Sequence, residues 1–181
     1  MPLTDLELVS QAQAGDTTAF DELVARRQER VFALAYSMLG SPDDAADVQQ
    51  ETFLRAWNKL KSFRGDSAFS TWLHRITVNL CLSRKRRRSL VDETVAFDEE
   101  THAAHEDCIG AADTAMAVAK ALAELPARYR ALIVLREIEG RPLDEIAQIT
   151  GGSVASMRTR LCRARKLLRE KLRPYLEEEA I

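Results

Sequence analysis

Apolar positions along the chain recur at three- and four-residue intervals, and no stretch sustains the two-residue alternation of a half-buried strand. Thr4 followed by Glu7 has the form of a capping box and opens a short first helix, which Gly15 ends. From Asp16 or Thr17 a longer helix carries Phe20, Leu23, Val24, Val31, Leu34, Ala35 and Met38 on one stripe as far as Gly40. Ser41-Pro42-Asp43-Asp44 then supplies an N-cap, a proline at the first helical position and acids in the first turn. The helix it starts should run to about Leu60 with Phe53, Ala56, Trp57 and Leu60 buried, leaving Asp47, Gln50, Glu51 and Asn58 mostly outside. SFRGDS (62–67) reads as a turn. A fourth helix from about Ala68 turns Phe69, Trp72, Leu73, Ile76 and Leu80 inward and ends in RKRRR (84–88).

Periodicity fades over 89–112 and returns in four further helices, at 113–124, 127–139, 143–149 and 154–173. Pro126, Gly140-Arg141-Pro142 and Gly151-Gly152 separate them. The pattern predicts an all-α protein of two small helical domains, 1–88 and 113–181, joined by a flexible linker at 89–112.

Charge changes what these domains are expected to do. The formal net charge of −2 conceals a segregation along the chain. Five consecutive basic residues at 84–88 precede a segment, 91–113, with eight acids and no Lys or Arg; residues 158–173 then hold eight basic side chains against Glu170 alone. Two nucleic-acid-facing modules on an acidic tether fit this order better than ordinary solvated helix faces. With 46% hydrophobic residues, the 181-residue chain can bury a core, and charges interrupt every apolar run before the ~20 residues a membrane span needs. The acidic N-terminus lacks the form of a signal peptide, so a cytoplasmic protein without membrane insertion is expected. Cys81, Cys108 and Cys162 are too few and scattered for a disulfide framework. No phosphate-binding glycine loop, nucleophile elbow or zinc motif occurs, which argues against an enzyme and against a cofactor. His102, His105 and Cys108 supply three ligands at most and read as an incidental loop rather than a metal site.

The clearest mechanism lies in LDEIAQITGGSVASMRTRLCRARKLL (143–168), which has the form of a helix-turn-helix. Ile146, Ala147 and Ile149 face the core from the first helix, the glycine pair turns the chain, and Ser153 caps the second helix. Val154, Met157, Leu161 and Leu168 would pack inward, leaving Ser156, Arg158, Thr159, Arg160 and Arg163 outside. Arginine can fork onto guanine in the major groove, and small hydroxyls reach phosphates or base edges. The alternative is a plain helical hairpin with a solvated arginine face.

This segment resembles region 4 of bacterial sigma factors of the sigma-70 family, especially the extracytoplasmic-function (ECF) group. DDAADVQQETFLRAW (43–57) resembles region 2.2 of that group, and SFRGDSAFSTWLHRITVNLCLSRKRRR (62–88) resembles regions 2.3 and 2.4. Gln49, Ser83 and the stretch Ser153–Met157 depart from the usual pattern. The resemblance implies a promoter-specificity subunit that lends recognition and strand opening to RNA polymerase. Asp47, Gln50, Glu51 and Arg55 would dock on the clamp helices of the largest subunit, and the flap region would be a second polymerase contact. Lys61, Ser62, Phe63, Arg64 and Gly65 would form a pocket for an unstacked base of the −10 element, with Arg75 and Asn79 on the same strand. Trp72 would pack in the core, with at most an edge on DNA. Arg84, Lys85, Arg86, Arg87 and Arg88 would hold phosphates. Ser153, Ser156, Arg158, Thr159, Arg160 and Arg163 would read the −35 duplex. The acidic linker would either imitate nucleic acid in a polymerase channel or act as a solvating tether. The family further implies a stress-responsive role and an anti-sigma partner. Two rival classes, a stand-alone repressor or activator and a helical adaptor, lack support: the first would need a ligand or dimerisation domain, the second would not need two basic surfaces.

Overall fold

The computed structural model describes residues 3–94 and 111–178, with side chains at 3–87 and 114–175; His102, His105 and Cys108 lie outside them. The elements are α1 (Asp5–Gln13), α2 (Thr17–Leu39), α3 (Pro42–Lys59), a 3₁₀ turn (Leu60–Ser62), α4 (Phe69–Thr94), α5 (Ala111–Glu124), α6 (Ala127–Ile133) continuing into a π turn (Val134–Ile138), α7 (Leu143–Thr150) and α8 (Val154–Glu178). No strand occurs among the described residues.

Local signals explain the helix starts. The Thr4 amide donates to Glu7 Oε2 at 2.7 Å, and the Glu7 amide donates to Thr4 Oγ1 at 3.3 Å, closing the expected capping box. Asp16 caps α2 and Ser41 caps α3, each by accepting backbone N–H groups of the first turn. Gly40, at φ +76°, ends α2 in a left-handed conformation that only glycine adopts without strain.

The structure departs from the sequence-based expectation in six places. Helix α4 passes the basic run and continues to Thr94, because SLVDET contains neither glycine nor proline to stop it. Helix α5 begins at Ala111 and α8 runs past Pro174 to Glu178. The helix expected at 127–139 changes to π geometry at Val134. Trp57, expected in the core, is 38% exposed, and Val154 is 39% exposed.

Two apolar clusters hold the fold. One joins α1, α2, the 3₁₀ turn and α4 through Leu8, Phe20, Leu23, Leu60, Phe69 and Leu73. The other crosses between the halves of the chain. Leu34, Met38, Val78 and Cys81 from the first half share it with Leu132, Leu135, Ile146 and Met157 from the second. Burial of each such side chain contributes about 1.5–3 kcal/mol, so the contact between halves is a substantial apolar interface. Helix α7, the first of the helix-turn-helix, lies directly against α4.

Candidate nucleic-acid interface

In the helix-turn-helix, Ile146, Ala147 and Ile149 bury the inner face of α7, and Met157, Leu161 and Ala164 bury that of α8. The turn depends on Gly152. Its φ is +127°, and a Cβ there would come within 2.9 Å of Met157 Cε and 3.1 Å of Ser156 Oγ. Ser153 Oγ accepts the Ser156 amide at 3.2 Å, the expected cap. The Ser156 hydroxyl donates back to the Ser153 carbonyl at 2.9 Å and is half-buried, so it serves the cap before it can serve a ligand. Thr159 is exposed, with its hydroxyl on the Ala155 carbonyl at 3.4 Å.

Some cations of α8 are held by acids and others are not. Arg165 pairs with Glu137 at 2.7 Å, and Lys171 pairs with Glu124 at 2.8 Å. Arg158, Arg160 and Arg163 are exposed and form no ion pair among the described residues. Such arginines beside a helix start carry uncompensated positive charge, of the kind an anionic duplex attracts.

On the first half, Lys61, Ser62, Arg64 and Gly65 are exposed in one loop, and Arg75 and Asn79 are exposed on α4. Phe63, expected with them to form the base pocket, is instead turned inward. It is 9% exposed, edge-on to Phe69 with centroids 6.0 Å apart, and 5.0 Å from Trp72. Phe63 is therefore a support for the loop, and the half-buried Trp72 beside it is the more accessible ring. Gln13 fixes the loop from below, donating to the carbonyls of Leu60 and Phe63 at 2.9 and 2.8 Å. Of the basic run, Arg86 and Arg87 are exposed; Lys85 is half-buried, and the side chain of Arg88 lies outside the described residues. Arg84 reaches across to α3, 2.7 Å from Asp47 and 3.0 Å from Asp44. Its hydrogen bond to Asp47 holds the guanidinium pKa above its ordinary value. Two residues expected on different surfaces, Asp47 toward polymerase and Arg84 toward phosphate, thus neutralise one another.

The outer face of α3 brings Asp47, Gln50, Glu51 and Arg55 together, with Glu51 and Arg55 paired at 2.7 Å. Beside them α2 and α3 flank an open groove of about 510 Å³ lined by residues that include Phe20, Val24, Gln49, Phe53, Leu54 and Trp57. Leu54, 60% exposed, and Trp57 form its rim. Neither was expected to be exposed or functional, although Leu54 falling off the predicted apolar stripe was the signal for it. Gln49 donates to the Gln28 carbonyl at 2.7 Å, tying α3 to α2 at the groove's edge. Among the described residues, no three His, Cys, Asp or Glu side chains are grouped to hold a metal, and no helix is long and apolar enough to cross a membrane.

Comparison with known proteins decides between a lone helix-turn-helix regulator and a transcription subunit. Residues 23–91 match Sigma-70 region 2, and residues 115–168 match Sigma-70 region 4. The ECF RNA polymerase sigma-E factor of Haemophilus influenzae is 36% identical over 186 residues, covering 96% of this chain and 98% of its own. The chain belongs to the ECF sigma factors. It is similar as well to the RNA polymerase sigma-H factor of Pseudomonas aeruginosa, at 35% identity over 188 residues and 96% of each chain. Among solved structures, the sigma factor RpoE of Bartonella quintana, in complex with the anti-sigma factor NepR, matches with a TM-score of 0.70 and 30% identity over 85% of this chain and 96% of its own. CnrH, in complex with the cytosolic domain of CnrY, matches with a TM-score of 0.70 and 31% identity over 94% of this chain and 97% of its own. As an ECF sigma factor the protein is a transcription initiation factor, and the catalysis belongs to RNA polymerase.

Proposed function

We propose that this sigma factor directs core RNA polymerase to promoters by reading −35 duplex DNA with α8 and opening the −10 element with the 61–67 loop and α4. The observation that carries the reading is the unpaired arginine fan of Arg158, Arg160 and Arg163, on a helix whose other cations include the acid-paired Arg165 and Lys171. Arginine placed so that it meets no protein acid is free to fork onto guanine or a phosphate. On α4, Arg75 and Asn79 face solvent in the same manner and supply donors for a separated strand.

The polymerase surface in this reading is the outer face of α3. Asp47, Gln50, Glu51 and Arg55 form its polar rim, and the groove edged by Leu54 and Trp57 its apolar centre. A desolvated aromatic anchor surrounded by polar groups is the usual anatomy of an interface that carries affinity. The clamp helices of the largest subunit are the partner for this face, and the flap region for the second half of the chain. Because the solved neighbour RpoE was captured with the anti-sigma factor NepR, an anti-sigma factor is the expected antagonist, and a cytoplasmic, stress-responsive role is part of the same reading.

Run-off transcription with core polymerase on a genomic promoter library tests the reading. Transcripts sharing −35 and −10 elements are expected. Absence of promoter-dependent product, with sequence-specific duplex binding by the free chain, would favour a stand-alone regulator.

A further inference from the structure

The basic run at 84–88 opens on a cation that is already engaged within the protein. Arg86 and Arg87 are exposed, whereas the Arg84 guanidinium turns from α4 to α3. Its Nε lies 3.0 Å from Asp44 Oδ1, and a terminal nitrogen donates to Asp47 Oδ2 at 2.7 Å. The two carboxylates sit in different surroundings. The Asp44 side chain is 7% exposed and lies in the first turn of α3, where Ser41 Oγ accepts the Asp44 amide at 3.3 Å. The Asp47 side chain is 62% exposed and belongs to the outer face that also carries Gln50, Glu51 and Arg55. One guanidinium thus joins a buried acid, an acid of the α3 face and the head of the α4 basic run.

The position of this tie along the helices matters. Helices α3 and α4 run antiparallel: the Thr52 hydroxyl donates to the Thr77 hydroxyl at 3.4 Å in the buried middle of the pair, and Asp44 meets Arg84 about two turns further along. From there α4 continues to Thr94, past the start of α3 at Pro42. Arg84 therefore holds α4 where it passes the first turn of α3, within one turn of the exposed Arg86 and Arg87.

Two roles are open to such a residue. To hold a phosphate, Arg84 would have to leave Asp44, and a buried carboxylate stripped of a cation is strongly unfavourable. It would also meet the strand with two carboxylates beside it. As a strut it stays where it is. The planar guanidinium suits that role, because its fork reaches two acids at once, which a single ammonium does not match.

We infer that Arg84 is a positioning residue for promoter opening: it fixes the angle of α4 on α3, so that docking of the α3 face on polymerase sets where Arg86 and Arg87 meet the separated strand. It holds no phosphate itself. The inference rests on the polymerase and −10 surfaces assigned above and adds the link between them.

The test uses holoenzyme carrying Arg84→Ala, Arg84→Lys, Asp44→Asn, the double variant Arg84→Ala/Asp44→Asn, or Arg87→Ala. Core polymerase affinity is measured first. Affinity for a single-stranded oligonucleotide bearing the −10 element of a promoter recovered by run-off transcription is then followed across a salt series. Opening of that promoter as a duplex is read by permanganate reactivity at saturating holoenzyme. Arg84→Ala should reduce opening about 10-fold or more, with core affinity within about 2-fold of wild type and the salt slope unchanged. Asp44→Asn should act in the same direction, and the double variant should be no worse than Arg84→Ala, because both changes break one strut. Arg84→Lys should recover part of the opening. Arg87→Ala removes a phosphate contact and should flatten the salt slope by about 0.7. Flattening by Arg84→Ala to the same extent would make Arg84 a phosphate ligand and overturn the inference, as would unaltered opening. A loss of core affinity as large as the loss of opening would reduce Arg84 to maintaining the fold, which also overturns it. Should Arg84→Ala fail to fold, Arg84→Lys and Asp44→Asn carry the same comparison. If Arg87→Ala too leaves the slope unchanged, α4 meets no phosphate, and the −10 reading falls together with the inference; flattening by both arginine variants leaves that reading standing and removes the strut alone.

Discussion

Arg160 and Arg165 lie on the same helix and meet different surroundings. Arg165 holds Glu137 through two nitrogens at 2.7 and 2.9 Å, with both side chains about half exposed. Arg160 faces solvent without an acid partner among the described residues. Arg160→Ala should therefore lower promoter binding by the holoenzyme by about 1–3 kcal/mol with the fold intact, the range for loss of a base contact. Arg165→Ala should change stability by less than about 1 kcal/mol and leave promoter discrimination unaltered. Fluorescence anisotropy on matched and mutated −35 duplexes, with holoenzyme, separates the two; equal losses at both positions would mean charge alone is being measured. The cysteines divide on the same principle. Burial pushes the Cys81 thiol up to about 12, so almost no thiolate forms at neutral pH, whereas Cys162 is exposed on the outer side of α8. Native alkylation followed by mass spectrometry should modify Cys162 and spare Cys81 until denaturant is added.

At the scale of elements, what could be read from the sequence was what short-range chemistry decides. Thr4 with Glu7, Asp16, Ser41 with Pro42 and Ser153 each satisfy orphan amides of a helix start, and each stands where local pattern placed it. Two stops and a change of helix type were less visible. Nothing in residues 89–94 favours a helix strongly, yet nothing there breaks one, and α4 runs on; the π turn at Val134–Ile138 has no local signature. Exposure was the weaker inference. A 3.6-residue stripe assumes that every apolar side chain on it is covered by neighbours, but Trp57 meets Phe20 of α2, with centroids 4.9 Å apart, and still borders an open groove. That groove supplies the prediction at this scale. Leu54, 60% exposed, should tolerate Leu54→Asp with a stability change within about 0.5 kcal/mol, while core polymerase affinity falls at least 10-fold. Glu51→Lys should weaken binding too, and it is cleaner than a change at Asp47, which also holds Arg84 of α4 at 2.7 Å. Calorimetric melting beside a polymerase pull-down checks both; unaltered capture of either variant would remove that side chain from the interface.

At the scale of the molecule the sequence said least, because contacts between residues distant in the chain leave no periodicity to read. Arg130 precedes the apolar run ALIVL, and His74 follows Leu73 in an inward stripe; each looks like an ordinary interruption until its partner across the halves is known. His74, 1% exposed on α4, has its Nε2 3.4 Å from Glu139 in the second half, which makes the pH dependence of this contact calculable in sign. Glu139 is held below the ordinary carboxylate range chiefly by its hydrogen bond with His74, assisted by the charges of His74, Arg141 and Arg30 and opposed by burial. A carboxylate depressed in the folded state adds stability above its unfolded value, about 4.3, and loses it as pH falls through the lower folded value. The contribution of Glu139 should thus be present above about pH 4.3 and be lost as acidification carries the group through its lower folded value. Wild type and Glu139→Gln, melted side by side from about pH 7 downward, should differ while the carboxylate is charged and converge below about pH 4. A difference that persists undiminished into acid would show that the carboxylate contributes through its shape in the interface and not through its charge.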